Sequence, residues 1–337
     1  MINISATMMH SGATKMHSDR FHARMKPHRR GNIDSHPWIV YDPYIDVERH
    51  NEWSFATVQY PWGEGRSERN LPLRENQDRP TGLDEPERNM IHELNDTSKA
   101  RPLFAGWREL DTGVLSCLDR VMGTILVTDP DGPRSAMAVI GDFAFCTGEP
   151  DLELVRGKPD RWMLVVPQNE AWTSLIEEHM LAYKRIRYAI RKDTVFDREK
   201  LDAMEKALPE AYSIRRIDGE LYDLCLADGE FKDCVSVFGS KEKYLSLGRG
   251  FAVLKDGKIV SAASSYSRYS KGIDIEIGTV REERHKGLAS AVAARLIIEC
   301  LDEGLYPAWD AANMLSVRLA EKLGYEFSHE YCCFAIE

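Results

Sequence analysis

No stretch of the 337 residues approaches the roughly 18 consecutive apolar residues that a membrane-spanning helix needs. The N-terminus also lacks the apolar centre of a secretory signal. The sequence therefore predicts no membrane contact and places the chain in the cytoplasm. Paired cysteines are missing too. Seven are present (Cys117, Cys146, Cys225, Cys234, Cys300, Cys332 and Cys333), odd in number and widely spaced, with no Cys-x-x-Cys pair. That excludes a disulfide framework and a thiolate metal site, so no metal is expected. Basic residues are outnumbered: 44 Lys and Arg face 54 Asp and Glu, a net charge of −10. A nucleic-acid partner needs a basic face to neutralise phosphates, and none is expected.

Periodicity is absent at first as well. Residues 1–99 are polar, rich in Arg, His, Pro, Asn and Gly, and follow neither a two-residue nor a 3.6-residue repeat. They read as a mostly disordered extension. Five of the ten histidines (His10, His17, His22, His28 and His36) fall there, too irregularly spaced to frame a metal. Met90, just ahead of the first apolar periodicity, is an alternative start. From Arg101 onward short apolar strands alternate with helical patterns. Residues 161–166 read as a buried strand. Trp172, Leu175, Ile176 and Met180 then share a helical face, and Asp197 caps a second helix over 197–208 that Pro209 ends. Residues 100–212 thus form an N-terminal α/β module.

A second domain, 213–337, centres on a three-strand meander at 250–255, 258–266 and 273–280. Asp256-Gly257 supplies the positive φ angles of a tight hairpin, and Ser270-Lys271-Gly272 makes the next connection. In the third strand Ile273, Ile275 and Ile277 face the core while Asp274, Glu276 and Gly278 face the other way. Arg281-Glu-Glu-Arg-His-Lys-Gly-Leu-Ala289 follows directly and opens a helix reaching about Leu301. The first amides of a helix have no internal acceptor, and the helix dipole favours a phosphate there. Gly287 permits close backbone approach, Arg284 and Lys286 add charge, and small Ala289 and Ser290 leave room.

Arg284-His-Lys-Gly-Leu-Ala289 resembles the Arg/Gln-x-x-Gly-x-Gly/Ala pyrophosphate loop of GNAT acetyltransferases. The segment from Trp309 to Phe327, with Asn313 opening a helix and Lys-Leu-Gly-Tyr closing it, is similar to the second GNAT motif. With Gly-Ile-Asp-Ile-Glu-Ile and Tyr-Pro-Ala-Trp-Asp-Ala added, the resemblance extends over about 90–337, including Gly141-Asp-Phe-Ala-Phe145 and Phe196-Asp197. It implies a GNAT fold, α/β of the α+β type, whose mixed and largely antiparallel sheet is flanked by helices and preceded by the N-terminal module. It also implies acetyl-CoA as co-substrate, held by Thr279, Val280, Arg284, His285, Lys286, Gly287, Leu288, Ala289 and Ser290, with Asn313 and Ser316 on the pantetheine arm. His285 by itself reads as a solvated loop residue, and Asn313 equally as a helix cap.

The reaction so implied is direct acetyl transfer to a primary amine of a small molecule. Glu276 is the candidate general base and Asp274 its substitute, provided burial raises Glu276 from about 4.3 toward roughly 6–7. An ordinary ion-paired strand carboxylate remains the alternative. Trp309 and Asp310 belong to a splayed strand, with Asp310 facing the acceptor. Ala320 stands where the family's acidic Tyr is usual, and Tyr325 and Tyr331 read as core packing. Two other functions stay open: a CoA-binding sensor without turnover, and a protein acetyltransferase with an open acidic groove across Glu276.

Overall fold

Asp256 and Gly257 both take positive φ, 49° and 75°, and the strands they join pair antiparallel from Lys255 opposite Lys258 onward. A two-residue turn of this hand matches the twist of its strands. The computed structural model describes residues 90–107 and 111–337; of the polar extension expected over 1–99, residues 1–89, with the five histidines named above, lie outside the described residues.

The first half of the described chain carries β1 (His92–Glu93), α1 (Asp111–Leu118), β2 (Thr124–Val127), β3 (Ser135–Ile140), β4 (Phe143–Gly148), α2 (Leu152–Arg156), β5 (Met163–Pro167), α3 (Glu170–His179) and β6 (Tyr183–Ile190). A connecting helix α4 (Arg198–Lys206) is capped by the Asp197 carboxylate, which accepts from the Lys200 amide. The second half carries β7 (Ser213–Arg216), α5 (Gly219–Ala227), α6 (Lys241–Leu247), β8 (Gly250–Lys255), β9 (Lys258–Tyr269), β10 (Gly272–Thr279), α7 (Leu288–Asp302), β11 (Tyr306–Ala308), β12 (Asp310–Ala311), α8 (Met314–Leu323) and β13 (Phe327–Ile336). Among the described residues the first strand is at His92, nine residues before the Arg101 that periodicity suggested, because β1 is anchored by pairing with β2 and carries little pattern of its own.

Among the described residues the strands form two sheets, in the orders β1-β2-β3-β4-β5-β13-β6-β12 and β11-β10-β9-β8-β7. The chain passes from the first sheet to the second between β6 and β7, and returns through the single residue Trp309, between β11 and β12. Followed through that residue, the order is a palindrome. Three strands lead up to a parallel pair on each side, β4 with β5 and β10 with β11, and the two last strands, β13 and β6, sit side by side at the centre. Each half's final strand therefore pairs with the other half: β13 with β5, and β6 with β12.

Sequence on the two sides of residue 212 consequently shares both a sheet and a core. One cluster joins Val114, Ile125, Phe145 and Val166 to Leu221, Tyr244, Ala252 and Ala335. A second surrounds α7, with Val292, Leu296 and Ile297 wholly buried, and a third packs α2 and α3 on β5 through Trp172 and Ile176. The described residues all fall within one packed unit.

Candidate functional site

The sequence places two constructions at successive points of one strand. β10 carries Asp274 and Glu276 on one face, ends at Thr279, and after a single turn at Arg281–Glu283 gives way to the loop that starts α7. His285 and Gly287 both take positive φ, 63° and 81°. For His285 that is a costly conformation, and such alternation turns successive amides toward one point. Gly287 caps α7. The Ala291 amide donates to its carbonyl, which leaves the amides of Leu288, Ala289 and Ser290 without an acceptor inside the helix. A Cβ on Gly287 would meet nothing within 4 Å, so the space before those amides is open. The residues present therefore suit a pyrophosphate.

Thr279, Arg284, His285, Gly287, Leu288, Ala289 and Ser290 share the wall of this loop cavity. Lys286 does not. Its ammonium is held 2.7 Å from Glu283, whose carboxylate also accepts from Lys255 at 2.8 Å and Tyr212 at 2.5 Å. Bonds from Lys255, Lys286 and Tyr212 hold Glu283 down to about 2. Lys286 is thus paired with Glu283, which itself lines the cavity, and Val280 packs against the core. Arg284 is tied by its Nε to the Thr279 carbonyl at 3.1 Å. The cation that sequence reasoning missed is Lys322, on α8, whose Nζ donates to Ser290 Oγ at 2.9 Å and which lines the same cavity. In sequence it reads only as the usual base near a helix C-terminus.

The second construction is a cavity between the two halves. Space for the centres of water-sized spheres is about 50 Å³, room for roughly three or four waters. Asp274, Glu276, Tyr266 and Ser267 reach it from the second half, Thr112, Ile140, Phe143, Phe145 and Arg187 from the first, and Asp310 and Tyr331 from the strands that join them. Arg187 donates through Nε and Nη2 to Asp310 Oδ2, at 2.9 and 2.6 Å, and lies 4.9 Å from the Phe143 ring centroid. Tyr331 donates to the same Oδ2 at 3.0 Å, and so lines the cavity as well as packing against the core. Tyr325 is core: it is buried, with its hydroxyl on the Pro307 carbonyl.

Burial pushes Glu276 up to about 8, aided by the like charges of Asp233 and Asp142. Burial likewise pushes Asp274 to about 7, with Asp310 beside it. The two sheets part between β11 and β12, where the Trp309 indole, 3% exposed, donates to Ser316 Oγ at 3.0 Å. Asn313 accepts from the Leu315 and Ser316 amides, both at 3.0 Å. Its side-chain oxygen is a helix cap, then, and Ser316 braces Trp309; neither lines the loop cavity.

The sequence profile described as GNAT acetyltransferase matches residues 101–334. The chain belongs to the GNAT acetyltransferase family. By family it is an acyltransferase, and the match spans both halves of the palindrome. A GCN5-related N-acetyltransferase-like protein from Streptococcus suis has a similar crystal structure, 40% identical with a TM-score of 0.69, covering 72% of this chain and 98% of that one. The uncharacterised N-acetyltransferase YdfB of Bacillus subtilis is 34% identical over 134 residues, 38% of this chain and 49% of that protein. The match thus spans about half the length of that curated relative. Among the described residues of this GNAT chain no helix is long and apolar enough to cross a membrane.

Proposed function

We propose that the chain transfers acetyl from acetyl-CoA to a primary amine of a small molecule, with Glu276 as general base. One observation carries this reading: the carboxylate whose ionisation is pushed to about 8 stands on the same strand that runs into the loop, three residues before Thr279. A base tuned near working pH is what an ammonium acceptor requires. The amides of Leu288, Ala289 and Ser290 hold the pyrophosphate, and Lys322 adds a charge beside them. Acetyl-CoA supplies the thioester carbon at which the new C–N bond forms as the C–S bond breaks. Glu276 takes the proton from the attacking amine. Ala320 offers no proton donor where the family's Tyr is usual, so in this reading the thiolate takes its proton from water.

The size of the cavity favours a small acceptor, since a space of about 50 Å³ is too small for a protein chain. The reading is tested by calorimetry of acetyl-CoA with the full chain, its Gly287→Glu variant and a Gly257→Glu control. Gly257 shares the positive φ and open surroundings of Gly287 but lies in the hairpin turn. Thiol release with pooled amines is followed in the same samples. Binding lost only in Gly287→Glu, with amine-dependent thiol release, is expected. Binding without release supports a sensor instead, and absence of binding to the wild-type chain overturns the assignment.

A further inference from the structure

We infer that the acceptor is a slender diamine, whose reacting nitrogen meets Glu276 while a second, cationic nitrogen is held by Asp310, Ser267, Thr112 and Asp274. The inference rests on the transferase reading and names the substrate class of its cavity.

Charge comes first. Three carboxylates, of Asp274, Glu276 and Asp310 in part or whole, face a cavity in which Arg187 is the one cation among the described lining residues. Arg187 is already engaged, by Asp310 Oδ2 and by Tyr331, whose hydroxyl accepts from Nε at 3.1 Å. Lys192 acts on Asp274 from outside that lining, with its ammonium over the Tyr269 ring. A carboxylate on the ligand would therefore find three acidic neighbours and a single guanidinium whose charge Asp310 already balances. That disfavours an amino acid of similar length.

Unused hydrogen-bonding capacity comes second, and is independent of charge. Thr112 is 3% exposed and Ser267 0%, both line the cavity, and neither hydroxyl has a partner. Asp310 Oδ1 is buried and partnerless as well, since every bond to that carboxylate goes to Oδ2. Ser267 stands opposite Asp274 in the β9–β10 register, which brings the two onto one face. Buried polar atoms of native proteins are normally satisfied, and exceptions point to a missing partner. An ammonium offers three donors and no acceptor, the complement of two hydroxyl oxygens and a carboxylate oxygen.

Spacing comes third. Asp274 and Glu276 are two residues apart on one strand, about 6.6 Å along it, roughly the span of four or five methylenes. Ile140, Phe143 and Phe145 supply the apolar wall such a chain needs.

The test is thiol release by the full chain with acetyl-CoA and three probes: 1,4-diaminobutane, 1-aminobutane and 4-aminobutanoate. The diamine is expected to exceed aminobutane at least tenfold in kcat/KM, with aminobutanoate below both. Asp274→Asn should bring the ratio of diamine to aminobutane toward one. Ser267→Ala, a small change at a hydroxyl that bonds nothing in the protein, should lower it in the same direction. Equal use of diamine and aminobutane, or preference for aminobutanoate, overturns the diamine and leaves the transferase standing. A chain that binds acetyl-CoA and acetylates none of the three also overturns the diamine, and the pooled-amine assay then decides the transferase separately.

Discussion

At the scale of the residue, the site depends on carboxylates held where ionisation is unfavourable. Glu276 and Asp274 ionise at about 8 and 7 in the folded chain, against ordinary values of 4.5 and 3.8. Between those limits the folded state binds more protons than the unfolded one, so stability falls as pH rises through that window. Glu276→Gln and Asp274→Asn should flatten the fall, and thermal midpoints at pH 5 and pH 9 measure it. A shift of about 2–4 °C accompanies each kcal/mol in a chain of this size, and variants with the wild-type pH slope would contradict the shifts. Lys322 gives a second prediction. If it bonds a phosphate oxygen, Lys322→Met forfeits a charge-assisted bond of about 1.5–3 kcal/mol. The KM for acetyl-CoA should then rise about ten- to a hundredfold with kcat little changed; an unchanged KM would remove Lys322 from the site.

At the scale of the element, the two halves repeat an arrangement but not a site. α7 has fifteen residues and opens on Gly287 with its first amides free. Its counterpart α2 has five, and the Asp151 carboxylate already accepts from the Glu153 and Leu154 amides. A carboxylate there repels a phosphate and takes its donors. Calorimetry should accordingly give one acetyl-CoA per chain, and a stoichiometry of two would contradict the asymmetry. The loop was legible in the sequence because its signals are local: a strand pattern, Arg284 to Ala289, then a helical face. The meander was legible for the same reason, through Asp256-Gly257 and the alternation from Ile273 to Ile277. Lys286, Tyr331 and Lys322 were not. Their partners Glu283, Asp310 and Ser290 lie 3, 21 and 32 residues away, and even the short separation does not reveal which partner a lysine takes.

At the scale of the whole molecule, strand exchange makes the halves interdependent. The exchanged pair β13 and β6 bridges β5 and β12 inside the eight-stranded sheet, an arrangement no sequence periodicity announces because it joins residues 183–190 to 327–336. A chain ending at residue 326 should lose β5 and β6 pairing together and unfold both halves in one transition, whereas a surviving folded 90–212 half in circular dichroism would show that the exchange is dispensable. The same exchange creates the cavity, since Arg187 on β6, Asp310 on β12 and Tyr331 on β13 meet there. The most direct test of acetyl transfer at this cavity is the pH dependence of kcat for thiol release, in the wild type and in Glu276→Gln, with acetyl-CoA affinity measured alongside. The wild type should rise tenfold per pH unit and level off near 8, and the variant should fall by about 10²–10⁴ and lose that break while binding acetyl-CoA normally. A variant that keeps the rate and the break would contradict Glu276 as the base.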